Sequence, residues 1–182
     1  VEFGDDRIKS KAIDDRIGCA VMIQLIQEGV PYDTWFAFVV GEEIGSRGAK
    51  AAAGRIHPRW GLVIEGTTAA DIPGVAEHER SCFQGGGAVV SLADRGSVYN
   101  RDLVRRLTKR AGEEGIRWQY RASMNGSTDA SAIHLAGAGA QAFGLAAPVR
   151  YIHSASNVLY WPDAEEVLKM ARLVIKEAEC DD

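Results

Sequence analysis

The sequence predicts a three-layer α/β/α sandwich built on a largely parallel, mixed sheet. Three observations predict it. Short runs rich in β-branched and aromatic residues alternate with longer segments of helical periodicity along the whole chain. The polar residues with the most chemistry follow those apolar runs, where sheets of this class bind ligands. The 182 residues also suffice for one domain with a substantial core.

The elements follow in order. From Ile13 to Gly29, apolar side chains recur at helical spacing, with Ile17, Val21 and Leu25 on one face. Gly29 and Pro31 stop that helix. Thr34 to Val40 is a continuous apolar run, read as a buried strand. Ser46 to Ile56 reads as a helix, Leu62 to Ile64 as a short strand before Glu65, and Ala88 to Leu92 as another strand. Arg101 to Glu114 is an amphipathic helix, with a strand near Trp118 to Arg121. Thr128 to Ala136 reads as a helix and Ala140 to Ala146 as a strand. Pro162 in a first helical turn opens a long closing helix over Asp163 to Glu179.

Composition excludes several classes. Apolar residues are 46% and charged residues 25% of the chain, so it belongs with folded domains. The net charge of −4 argues against nucleic acid or an anionic membrane as the main partner. No apolar run approaches the ~20 residues that cross a bilayer, and no signal peptide is expected. Cys19, Cys82 and Cys180 are odd in number and far apart. That fits free thiols in a reducing, cytoplasmic setting better than a disulfide framework, with Cys19 a buried inert thiol. The chain opens VEFGDD, without methionine, and reaches a chemically loaded motif almost at once. The expectation is a part of a longer protein.

That motif is KAIDDR, with Asp14 and Asp15 ahead of the first helix. Glu42 and Glu43 follow Val40 in GEEIGSRGA, Glu65 follows Ile64, and His153 follows PVRYI. Carboxylates and an imidazole at converging strand ends suit a divalent metal, and a shared carboxylate can bridge two ions. Successive side chains of an extended segment point to opposite sides. One of the adjacent glutamates can therefore bind a metal while the other serves as general base. Each residue alone also has an ordinary structural reading. Asp14 can be a helix cap, Glu42 and Glu43 a solvated first turn, Glu65 a loop opener and His153 a hydrogen-bonded structural histidine. Asp15 reads as surface or as support for a ligand. His57 reads as a turn residue and His78 as exposed, while His134 is open between core and site support. Gly85 to Gly87 reads as a turn, because no phosphate-binding fingerprint surrounds it. The order of the motifs favours the joint, functional reading.

Taken in order, KAIDDRIGCAV, VVGEEIGSRGAKAAA, IEGTTAADIPG, GSTDASAIHLAGAGA and PVRYIHS resemble the glutamyl and deblocking aminopeptidases. These are dinuclear metallopeptidases that include the TET enzymes, and some members are named endoglucanase. The resemblance implies two divalent ions, zinc or cobalt. It implies Asp14 as the carboxylate bridging both, Glu43 and His153 as ligands of one, Glu65 as ligand of the other, and Glu42 as general base. Thr128 and Asp129 fall in a motif that lines the substrate side. Peptides are the implied substrates, and a homo-oligomer is implied for a full-length parent. Many relatives carry aspartate at the position of Glu65. A further histidine ligand and a small inserted dimerisation domain precede KAIDDR in the family and have no match here. Residues 1–182 therefore resemble the C-terminal portion of the catalytic domain, and the family's oligomer is not expected of this chain by itself. The leading function is a metal-dependent aminopeptidase. A non-catalytic fragment of that fold is one alternative. A glycoside hydrolase is a distant one, because adjacent Glu42 and Glu43 are ill placed to flank a glycosidic bond.

Overall fold

The computed structural model describes residues 1–178. Its strands are β1 (Glu2–Phe3), β2 (Arg7–Ser10), β3 (Trp60–Thr68), β4 (Ala88–Val90), β5 (Trp118–Tyr120), β6 (Gln141–Arg150) and β7 (Asn157–Tyr160). Its helices are α1 (Ile13–Glu28), α2 (Arg47–Ile56), α3 (Arg101–Glu113), α4 (Ala130–His134) and α5 (Trp161–Glu177). Glu179, the expected end of the closing helix, and Cys180 lie outside the described residues.

β6 is the centre of the sheet. Eight consecutive residues, 142–149, are buried, so the strand is covered on both faces. It pairs in parallel with β3 along the full length of that strand, from Trp60 opposite Gln141 to Thr68 opposite Val149. On its other side it runs antiparallel to β4 and to β7. β7 continues antiparallel to β2, and β2 to β1, while β4 pairs in parallel with β5. The sheet is mixed, as expected. Its parallel share is smaller than strand–helix alternation suggests, because the short strands β1, β2 and β7 join as antiparallel neighbours.

Helices cover both faces, giving the three layers. α1, α3 and α5 pack together on one side, and α2 with α4 on the other. α5 turns Val167, Met170, Ala171 and Val174 into the core at helical spacing, with Pro162 in its first turn. α3 is capped by Asn100, whose side chain accepts from the N–H groups of Asp102 and Leu103. The wholly buried Asp163 carboxylate accepts from the N–H groups of Gly85 and Gly87, each at 2.8 Å. The glycine run is thus a structural turn, as expected, and its donors are already engaged. Each N–H would cost about 1–3 kcal/mol if buried unpaired.

Two expectations are corrected. Thr34 to Val40 takes no regular secondary structure and joins no ladder, and most of it is exposed, Trp35 at 70% and Val40 at 80%. Its composition suits a buried strand, but burial needs a neighbour, and among the described residues no strand pairs with it. Phe36 alone of its bulky side chains leans on the core. Cys19 is half-buried rather than buried, although burial still raises its thiol pKa. Among the described residues, no helix is long and apolar enough to cross a membrane.

Candidate metal centre

The chain brings its first carboxylates to the site by interrupting a helix. Asp14 and Asp15 fall within the span of α1 yet have non-helical backbone angles, so the regular helix begins beyond them. Asp14 is thereby turned onto β3, where its Oδ1 accepts from Gly66 N–H at 3.2 Å. A Cβ on Gly66 would sit 2.9 Å from that of Asp14, so this approach needs glycine. Asp15 Oδ1 accepts from Gly18 N–H at 2.9 Å. Glu65 lies inside β3, not after it as the sequence suggested. β3 is longer than its apolar triplet because β6 pairs with its polar half as well.

Glu42 and Glu43 occupy the turn between that irregular stretch and α2. The N–H groups of Gly45 and Ser46 donate to the carbonyl of Glu42, each at 2.9 Å. His153 follows β6 in a turn where both Tyr151 and His153 have positive φ. Asn157 Nδ2 donates to the Tyr151 carbonyl at 2.7 Å and helps fix that turn. The His153 Nε2 atom then stands 3.3 Å from Asp14 Oδ2 and 3.2 Å from Glu43 Oε1.

Two groups of potential metal donors result, Asp14–Glu43–His153 and Asp14–Asp15–Glu65. In each, the donor atoms lie within 4.8 Å of one another, and Asp14 belongs to both. Asp15, read from the sequence as surface or as support for a ligand, stands among the donor atoms of the second group. Its only signal was its place beside Asp14. Glu42 stands in neither group, but its charge interacts with Asp14, Glu43 and Asp129.

The electrostatics are those of an acidic cluster without enough positive charge. Burial, then the charges of Asp15, Glu42, Asp14 and Asp129, push the Glu65 carboxyl up to about 10. Burial is also the first cause for Asp15, pushed up to about 8, and for Glu42, pushed up to about 7. Asp14 is raised by burial and by Glu43. Two groups of hard oxygen donors, one with an imidazole, that resist ionisation together fit divalent cations, whose charge would relieve the repulsion.

Thr128 and Asp129 lie at the start of α4. Asp129 is 9% exposed and one of its carboxylate oxygens, Oδ1, has no hydrogen-bond partner among the described residues. Its side chain hydrogen-bonds Ser46, which joins this loop to the Glu42 turn. Thr128 Oγ1 lies 3.5 Å from the Tyr99 hydroxyl, which donates to Asp94 at 2.9 Å. His134 contacts the Tyr99 ring, at 5.9 Å between centroids, and its Nδ1 lies 3.1 Å from the Ala140 carbonyl oxygen. It is a support beneath the Thr128 loop. His57 ends α2, and His78 sits in an exposed turn.

Residues 1–170 match the family described as M42 glutamyl aminopeptidase. The chain belongs to that family. It is similar to aminopeptidase APDkam598 of the archaeon Desulfurococcus kamchatkensis, at 34% identity and a TM-score of 0.91. That match covers 97% of this chain and 51% of the other. TET1 peptidase of Pyrococcus horikoshii, which can assemble into a tetrahedron or a large octahedral shell, is 28% identical with a TM-score of 0.76 over 93% of this chain and 50% of its own. A Thermotoga maritima protein named endoglucanase is 27% identical with a TM-score of 0.76 over 98% and 52%. This M42 chain spans about half the length of the curated relatives it matches. It is a peptidase-family chain of α/β fold, with donor groups able to hold metal.

Proposed function

We propose that residues 1–182 form the C-terminal, metal-bearing portion of the catalytic domain of an aminopeptidase that releases N-terminal residues from peptides. The observation that carries this reading is the pair of donor groups sharing one carboxylate, Asp14, with Glu42 at their edge. Asp14 would bridge two ions, zinc or cobalt. Glu43 and His153 would complete one set, and Glu65 would serve the other with Asp15 in reach. Three protein donors suit a catalytic zinc. A further ligand and a dimerisation domain would come from a longer parent. We place that parent in the cytoplasm, as a homo-oligomer, on the strength of the free cysteines and the shells formed by TET1.

When bound, the ions supply Lewis acidity toward the scissile carbonyl and make a water acidic near neutral pH. Glu42 takes the proton of the attacking water and returns it to the leaving amine. Its carboxyl is half-buried, and without metal burial and neighbouring carboxylates raise its pKa. Asp129, buried with one free oxygen beside the Glu42 turn, faces the substrate side with Thr128. The preferred first residue is set by side chains outside these motifs.

The test is hydrolysis of one peptide with a free and with an acetylated N-terminus. Release from the free form is expected to stop on chelation and return with zinc or cobalt, while the acetylated form resists. Cleavage that survives exhaustive chelation, or equal cleavage of both forms, would overturn the proposal.

Metal loading should also release protons. Near pH 7.5 the metal-free protein holds protons on Glu65 and largely on Asp15, and ligation needs their ionised forms. Roughly one to two protons should leave per chain, from the displacement of these pKa values above that pH. Affinity should therefore rise with pH between about 6 and 9. Titration calorimetry in buffers of different ionisation enthalpy reads this directly. A binding heat independent of buffer would contradict it.

A further inference from the structure

One open groove lies outside the donor groups yet shares their supports. It has a volume of about 540 Å³ and is bounded by β2, by the end of β6 and by the turn that carries His153. Arg7, Lys9 and Arg150 line it, together with Tyr151 and Ser154. Three cationic side chains around one groove are notable in a chain of net charge −4.

They are not equivalent. Arg150 is already neutralised, because Asp71 accepts from both its Nε and Nη2, at 2.8 and 2.9 Å. Arg7 lies 5.3 Å over the Tyr160 ring and donates Nη1–H to the Asp5 carbonyl at 3.1 Å. This holds its guanidinium in place and leaves part of its donor fork free. Lys9 is exposed and forms no ion pair among the described residues. Alternation along β2 puts Arg7 and Lys9 on one face of the sheet, opposite Tyr160 and Val158 of β7. The groove thus presents two uncompensated cations and an apolar floor that includes Val158.

Its position gives it a role. β2 runs toward Asp14, four residues past its end, and the opposite wall is the turn of His153. We propose that the groove is a carboxylate-binding subsite beside the donor groups, taking a carboxylate of the peptide downstream of the residue being removed. Two sources share that chemistry, the peptide's own C-terminal carboxylate and an acidic side chain. The inference rests on the aminopeptidase reading for the direction of the peptide, and on the groove alone for the charge it selects.

The test compares tri-alanine with tri-alanine amide, and Ala-Glu-Ala amide with Ala-Gln-Ala amide, on the metal-loaded protein. At least one carboxylate peptide should show a KM about tenfold lower than its uncharged partner, the scale of a charge-assisted contact. The first pair reports the C-terminal source and the second the side-chain source. Lys9→Glu, at an exposed position where the fold is not at stake, should bring that ratio to about one, and Arg7→Gln should lower it. Equal KM values within both pairs, or a ratio that survives Lys9→Glu, overturn the subsite. If this chain hydrolyses no peptide, turnover needs the further ligand of the longer parent, and the groove is judged separately by binding. Amide resonances of Ser154, Ser156 and Val158 should then shift with acetyl-Ala-Glu amide in the wild type and not in Lys9→Glu. An absence of shift in the wild type overturns it.

Discussion

Glu42→Gln in the complete enzyme is expected to lower kcat by about 10²- to 10⁴-fold, the usual contribution of a general base, while metal content stays at the wild-type value. Glutamine keeps the size of the side chain and loses only its ability to take up a proton. Glu42 belongs to neither donor group, so its loss removes no ligand. Its carboxyl is raised to about 7 by burial first, then by Asp129, Glu43 and Asp14. Bound cations would lower that value, so the base role rests on the place of the carboxyl at the edge of the donor groups and on its belonging to neither. Turnover and elemental analysis on the same sample decide the matter. Activity within a few-fold of wild type would show that another group is the base. Activity lost together with metal would make Glu42 a ligand instead.

Asp14→Ala is expected to empty both donor groups, whereas His153→Ala should empty one. Asp14 is the carboxylate common to both, and Gly66 N–H holds it in place. Its removal leaves Glu43 and His153 as two donors on one side and Asp15 and Glu65 as two on the other. Two donors make a weak site for zinc. After zinc loading and desalting, the metal retained per chain should fall below half of wild type for Asp14→Ala. It should fall by about one ion for His153→Ala, counting one ion per donor group. Equal retention by the two variants, or wild-type retention by Asp14→Ala, would refute the bridging role.

The clustering of Asp14, Glu43, Glu65 and His153 was legible because each sits in a short motif whose neighbours fix the local backbone. Gly66 beside Glu65 is an example, since it admits Asp14 to the strand. Asp15 was not legible. Its cluster depends on a backbone that leaves the helix at Asp14 and Asp15, and helical periodicity is blind to that. The larger helices were legible to within a residue or two, since α1, α3 and α5 each bury a face at regular spacing. β1, β2 and β7 are two to four residues long, too short for alternation to register, and their partners are distant in sequence. Thr34 to Val40 failed for the opposite reason. Its composition states what it could bury, and burial depends on a neighbour that composition does not supply.

The apolar stretch Thr34 to Val40 has a colloidal consequence. Trp35, Phe38 and Val40 face solvent on backbone that forms no ladder, and β3 has only β6 as a partner among the described residues. An exposed run of β-prone residues outside any ladder is a template for edge-to-edge self-association. Solubility and chemistry therefore meet in one short length of chain, because this sticky ribbon ends at Glu42. Whatever shields it from self-pairing also borders the carboxylate proposed above as the general base.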